Sequence, residues 1–263
     1  MSGLEDKVRM AGLSDTGRVR DHNEDRLFFD AALGLALVAD GVGGHQSGEV
    51  ASSMAANILA DRVRQQNHRW KELPSGIDAW MRGQISETSL IIHQTGRSQP
   101  QYHGMGATLV AALFFDNRVT IGHVGDSRLY RLRGSQFTRL TTDHTLLQQL
   151  LDQGRDPDEV RSIVNPHMLY QAMGTQDEVN PDSQTLPVEL QDRYLLCSDG
   201  LTDMVEEKEM SQLLASAKEP EEAVQTLVER ANLNGGRDNV TVVSVWIDHP
   251  FPARSGWLGK FFR

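Results

Sequence analysis

Cysteine is nearly missing from this 263-residue chain, and the one thiol, Cys197, permits neither an internal disulfide nor a cysteine zinc site. It lies in the apolar run Tyr194-Leu195-Leu196-Cys197, where a buried, inert thiol is expected, and the lack of disulfides points to a reducing compartment. Long apolar runs are missing too. The longest, Ala31 to Ala39, falls far short of the roughly 20 residues that span a bilayer. The opening Met1-Ser2-Gly3-Leu4-Glu5-Asp6-Lys7 lacks the apolar core of a signal peptide, so a cytoplasmic protein is predicted. Basic residues are outnumbered, 26 against 36 acids for a formal net charge of −10, which leaves no basic stripe for counterion release and argues against nucleic acid as a partner. An anionic partner must then be met by local cations or by bound metal. At 39% hydrophobic and 24% charged residues the composition excludes disordered, fibrous and membrane classes, and the length suffices for a core that needs no disulfide or structural metal.

Strand-like segments appear near 7–13, 26–39, 107–140, 183–198 and 240–247; helical periodicity appears near 47–66, 76–94, 143–153 and 206–232. Strands and helices cluster separately, and 106–140 reads as consecutive strands joined by turns at Asp116-Asn117 and Arg133-Gly134-Ser135. Antiparallel meanders in an α+β layered fold are therefore expected rather than βαβ crossovers. The apolar stripes, among them Ala51, Ala55 and Leu59, then Met81, Ile85 and Ile92, then Leu146, Leu147, Leu150 and Leu151, are expected to be core, with Ser47 as an N-cap and Pro220 in a first turn. Residues 154–182 are polar and irregular, and a loop of that length inside a compact domain points to function.

Two apolar runs end at once in Asp-Gly: Leu35-Ala36-Leu37-Val38-Ala39-Asp40-Gly41 and Tyr194-Leu195-Leu196-Cys197-Ser198-Asp199-Gly200. A hairpin turn fits poorly, because each dipeptide leads toward a helix and not a second strand. Further acids stand in Arg20-Asp21-His22-Asn23-Glu24-Asp25, in Gly125-Asp126-Ser127-Arg128 and in Arg237-Asp238-Asn239-Val240-Thr241. Each alone is a common turn residue; together they suggest acids brought to one place. Two carboxylates about 4 Å apart repel by roughly 4 kcal/mol at an effective dielectric near 20, so such a cluster takes up protons or divalent cations. An oxygen-only ligand set suits Mg²⁺ or Mn²⁺ better than Zn²⁺.

In order along the chain, Ser14-Asp15-x-Gly17-x-x-Arg20-x-x-Asn23-Glu24-Asp25, Asp40-Gly41-Val42-Gly43-Gly44-His45-x-x-Gly48-Glu49-Val50-Ala51-Ser52, Gly106-Ala107-Thr108, Gly125-Asp126-Ser127-Arg128, Ser198-Asp199-Gly200-Leu201 and Asp238-Asn239-Val240-Thr241 resemble the motif set of the metal-dependent serine/threonine protein phosphatases of the protein phosphatase 2C type, in its bacterial form. The resemblance runs from about residue 9 to 247. It implies a four-layer αββα sandwich of two antiparallel sheets flanked by helices, with two or three Mn²⁺ or Mg²⁺ ions at one end. By motif position Asp25, Asp40, Asp199, Asp238 and the carbonyl of Gly41 would be metal ligands. Glu24 would hold a metal-bound water, and Asp126 with Asp199 would form a third metal position. Arg20, Asp40 and Asp199 would carry catalysis, Arg20 by gripping the substrate phosphate with its planar fork of donors. The implied reaction is hydrolysis of phosphoserine and phosphothreonine in proteins by direct attack of a water bridging two cations, without a phosphoenzyme.

The implied partners are phosphorylated proteins, a cognate serine/threonine kinase and its targets. Competing readings are a noncatalytic phosphoprotein-binding scaffold on the same fold, which the retained aspartates disfavour, and a phosphatase of a small phosphorylated molecule. Val42 stands where eukaryotic members often carry a histidine, which leaves the general acid open between His45, His144 and water; the bland alternative for Asp143 is a helix cap. The glycines of Gly41-Val42-Gly43-Gly44 lack the lysine of a P-loop. The expected organisation is a catalytic domain over 1–248, with a flap about 141–182 that selects substrate, and a basic, aromatic tail over 249–263 able to dock on a partner or an anionic membrane. A monomer is expected.

Overall fold

A computed structural model describes residues 4–43, 46–66, 69–73 and 75–252. The residues 253–263 of the predicted docking tail, and His45, lie outside the described residues. Among the described residues no helix is long and apolar enough to cross a membrane.

Two five-stranded antiparallel sheets form the centre. The first orders β1 (Val8–Asp15), β12 (Val240–Ile247), β11 (Arg193–Cys197), β8 (Arg128–Arg133) and β9 (Gln136–Arg139); the second orders β10 (Asp182–Pro187), β7 (Arg118–Val124), β6 (Leu109–Phe115), β3 (Leu35–Ala39) and β2 (Arg26–Asp30). The predicted Asp116-Asn117 turn closes the β6–β7 hairpin, with φ of 46° and 54° at its two residues, a left-handed conformation that Asp and Asn tolerate.

Period-two alternation inside continuous apolar runs explains why both faces of each sheet are covered. Along β3, Ala36 and Val38 point between the sheets while Leu35, Leu37 and Ala39 point to the helices α1 (Gln46–Gln66) and α2 (Gly76–Ser98). Along β12, Val243, Val245 and Ile247 face the other sheet, and Val240, Val242 and Trp246 meet α5 (Asp199–Thr202), α6 (Glu207–Ser216) and α7 (Pro220–Leu233). This is the expected αββα sandwich. Its inter-sheet core includes an edge-to-face contact of Phe114 and Tyr194 with ring centroids 5.2 Å apart.

Four local expectations are corrected. The α1 helix begins before Ser47, whose hydroxyl instead donates to the Gln101 carbonyl. Asp40-Gly41 is followed by a two-residue strand after all: β4 (Gly41–Val42) pairs with β5 (Gly106–Ala107). The leucines of α3 (Leu146–Asp152) are only half-buried, and this helix packs chiefly against α4 (Pro157–Ile163). That α4 exists at all departs from the irregular reading of 154–182; Asp156 caps it by accepting from the N–H groups of Asp158 and Glu159, and Pro157 opens its first turn.

The Asp-Gly glycines are required by close approach. A Cβ on Gly41 would stand 2.3 Å from the Gly48 carbonyl oxygen, and one on Gly200 would stand 2.0 Å from the Asn239 carbonyl oxygen. Both neighbours are backbone and cannot rotate away. Gly200→Ala is expected to lower unfolding stability by about 1–3 kcal/mol through overpacking. Gly83→Ala in α2, where an added methyl meets nothing within 4 Å, should raise it by about 0.5–1 kcal/mol. Denaturant midpoints of the two variants check both signs.

Candidate metal centre

The register of the strands brings the predicted acids together. Asp25 precedes β2 and Asp40 follows β3, whose pairing sets Arg26 opposite Ala39. Asp126 follows β7, Asp199 follows β11, and Asp238 precedes β12. Antiparallel pairing places all these strand ends at the same end of the sandwich: Leu109 lies opposite Val124, and Cys197 lies opposite both Val242 and Arg128.

Their electrostatics follow from that convergence. Burial first, then repulsion by Asp199, pushes the Asp25 carboxyl up to about 7. Burial, then Asp199 and Asp143, pushes Asp126 up to about 7 as well. Asp40 keeps some contact with solvent yet is closely surrounded; desolvation and repulsion from Asp25, Asp199, Asp126 and Asp238, in that order, hold it well above the carboxylate range. Five predicted acids therefore feel one another across a single site. Asp25 is 2% exposed, and its Oδ1 is buried with no hydrogen-bond donor, an arrangement that costs free energy unless a cation or proton completes it. An all-oxygen set with an orphaned buried carboxylate oxygen fits a hard divalent cation.

Polar motif residues hold these acids in place. Asn23 accepts from the Asp25 N–H at 3.0 Å and donates to Ser14 at 2.8 Å. Ser198 donates to Asp25 Oδ2 at 2.8 Å while accepting from the Thr241 N–H. Thr108 accepts from the Asp40 N–H, returns its own N–H to the Asp40 carbonyl, and shares a 2.7 Å hydrogen bond with Ser127. Asn239 spends its whole amide on the segment that carries Glu24: its Oδ1 accepts from the Glu24 N–H, and its Nδ2 donates to the carbonyls of Thr16 and His22.

Arg20 lies at the same end, bonded to Asp238 Oδ2 at 2.6 Å, with Glu24 and Asp40 close enough to strengthen its charge. Its guanidinium is half-exposed, so part of its donor fork remains open to solvent. The backbone of Gly41 is at the floor, between Glu24 and Gly48.

One member of the site escaped sequence reasoning. His167, on the chain after α4, sets Nδ1 3.4 Å from Asp199 Oδ2 and Nε2 3.4 Å from Asp203 Oδ2. Hydrogen bonding to Asp199 is the largest cause that raises it, to about 9. Ligand atoms of Asp126, His167 and Asp199 all lie within 4.8 Å of one another, so an imidazole joins the pair of acids expected to form a third cation position. Two other expectations change. His144 does not face the acids, and Asp143 caps no helix: it takes a bidentate grip from Arg128 at 2.6–3.1 Å, while Thr145 caps α3. Cys197 is buried, its thiol pushed up to about 12 by desolvation, as an inert residue should be.

Residues 17–234 match the family described as protein phosphatase 2C. This chain belongs to the protein phosphatase 2C family. It is 38% identical over 241 residues, 88% of this chain and 93% of the relative, to the serine/threonine phosphatase Stp of Listeria welshimeri. The solved catalytic domain of the serine/threonine protein phosphatase PstP, in complex with two manganese ions, superposes with a TM-score of 0.80 at 36% identity, covering 92% of this chain and 99% of that one. PppA, a key regulatory component of the type VI secretion system in Pseudomonas aeruginosa, superposes at 0.76 with 30% identity over 91% of this chain and 97% of its own. The αββα sandwich of this phosphatase is thus the family's fold.

The raised carboxyls give a pH dependence with a definite sign. An acid whose folded pKa exceeds its unfolded value of about 3.9 adds stability at low pH and loses it as pH rises through the folded pKa. In chelator, the unfolding midpoint of this phosphatase is therefore expected to fall between about pH 4 and 7, the window set by Asp25 and Asp126. Thermal melts at stepped pH test this; a midpoint that climbs steadily across the window contradicts it.

Proposed function

We propose that the chain is a metal-dependent phosphatase of phosphoserine and phosphothreonine in proteins, with the acid cluster as its cation centre. The observation that carries the reading is the buried, donor-less Asp25 Oδ1 among acids that hold Asp25, Asp40 and Asp126 above the carboxylate range, in a chain of this family. Asp25, Asp40, Asp199, Asp238 and the Gly41 carbonyl would hold two cations, Glu24 would orient a water on one of them, and Asp126 with Asp199 and His167 would hold a third. Mn²⁺ or Mg²⁺ bound there supplies an acidified water as nucleophile and neutralises phosphoryl charge. The two manganese ions of the solved PstP domain support the choice of metal.

The protein's own groups then divide the work. Arg20 exchanges Asp238 for two phosphate oxygens and fixes the phosphoryl group for in-line displacement. Ser198, Thr108 and Asn239 keep the acidic oxygens pre-aimed, so little reorganisation accompanies the reaction. The segment 141–182, with exposed Met168 and Tyr170 beside His167, acts as the flap that meets the peptide around the phosphoresidue. A catalytic domain over 1–248, acting as a cytoplasmic monomer opposite a serine/threonine kinase, is the organisation this reading favours; the kinship with PppA adds secretion-system regulation to the contexts worth testing.

Hydrolysis of an aryl phosphate and of a phosphothreonine peptide, with Mn²⁺ and with chelator, tests the function. Activity should require Mn²⁺ on both substrates, vanish in Asp199→Asn, and fall roughly 10²-fold in kcat/KM for Arg20→Ala, the scale of losing one charge-stabilising donor. Full activity in chelator would sink the metal reading. Met168→Ala should shift preference among phosphopeptides while sparing the aryl phosphate; equal loss on both counts against a substrate-selecting flap.

A further inference from the structure

His144 is 3% exposed and takes no direct part in the acid cluster, yet it joins two of the elements that build it. Its backbone N–H donates to the Gly125 carbonyl at 2.9 Å, and the Gly125 N–H donates to its Nδ1 at 3.2 Å. On its other side the Tyr170 N–H donates to the His144 carbonyl at 3.0 Å, and Gln171 Nε2 donates to Nδ1 at 2.8 Å. Gln171 extends the tie: it donates to the Asn180 carbonyl and accepts from the Asn180 N–H, each at 3.0 Å.

These contacts fix the tautomer. An Nδ1 approached by two N–H donors is a bare lone pair, so the ring proton sits on Nε2, where Asp182 Oδ2 accepts it at 3.4 Å. His123, stacked on His144 with ring centroids 4.7 Å apart, likewise donates from Nε2, to the Thr142 carbonyl at 2.9 Å. The group His123, His144 and Asp182 is compact enough to suggest a metal site of its own, but both inward nitrogens carry protons, and it reads as a hydrogen-bonded brace.

What the brace holds is informative. Gly125, in a left-handed conformation with φ of 97°, is the residue before Asp126. Tyr170 and Gln171 follow closely on His167, just before Met173 pairs with Ala107 of β5. Two of the three members of the Asp126, His167 and Asp199 group are thus referred to one imidazole. We propose that His144 is a positioning residue: it sets the spacing of Asp126 and His167, and so the affinity of the cation position they share with Asp199. This rests on the acids being a cation centre.

Mn²⁺ titration calorimetry, with hydrogen exchange of the segments 122–128 and 165–173, provides the test. His144→Leu removes the acceptor at similar volume, and His144→Asn restores an oxygen near the Nδ1 position. In His144→Leu the weakest class of Mn²⁺ binding should fall by about 10- to 100-fold, as for other residues that orient metal ligands, with the tighter sites unchanged and both segments exchanging faster. His144→Asn should recover affinity and protection. If His144→Leu does not fold, Gln171→Leu cuts the flap tie alone, and should weaken the same class while speeding exchange only in 165–173. Wild-type isotherms in the folded variants would overturn the proposal, as would a wild-type isotherm with no third, weaker class. A wild type that binds no Mn²⁺, or an Asp199→Asn variant that binds it normally, overturns the cation centre itself and this inference with it.

Discussion

Mutual repulsion among carboxylates gathered at one end of the sandwich is the constraint on which the rest depends. Asp40 feels Asp25, Asp199, Asp126 and Asp238 at once, and desolvation removes the water that would screen them. Such a cluster opposes folding, and it persists because two antiparallel sheets, cores on three levels and a set of committed hydrogen bonds hold it. In the proposed reading, that stored repulsion is what would favour divalent cations at the site, and through them a phosphate. A chain with a net charge of −10 looks ill suited to a phosphorylated substrate unless its clustered acids serve as cation ligands, as proposed above.

Precision at the site comes from residues that do no chemistry. Ser198 bridges Asp25 and the Thr241 backbone; Asn239 stitches the Glu24 segment to the start of β12; Gly41 and Gly200 let backbones approach closer than any side chain allows. Family motifs in this phosphatase are therefore pairs of an acid and its holder, which is why Asn, Thr, Ser and Gly recur beside each aspartate. The flap is built differently. Its α3 leucines are half-buried, while Met173 at its far end is anchored in the core and bridged to Ala107 of β5.

Much of this was legible in the residues. Alternation located β12 at Val240–Ile247, turn chemistry located the β6–β7 hairpin, and acids at strand ends marked the end of the sandwich where they converge. Sequence spacing failed where a partner lay far away in the chain or the residue had no periodic context. Asp143 read as a helix cap because its true partner, Arg128, stands at the start of β8. His167 stands in the polar stretch Asn165-Pro166-His167, with nothing local to mark it; its meaning arises only when α4 returns it to Asp199. The α3 stripe read as core because an apolar stripe does not reveal whether a sheet lies beneath it.

The central claim, that strand ends gather these acids to hold cations, is met most directly by anomalous diffraction from crystals grown with Mn²⁺. The account predicts two strong manganese peaks among Asp25, Asp40, Asp199 and Asp238, and a weaker one between Asp126, His167 and Asp199. An anomalous map in which that end of the sandwich is empty of manganese would contradict it.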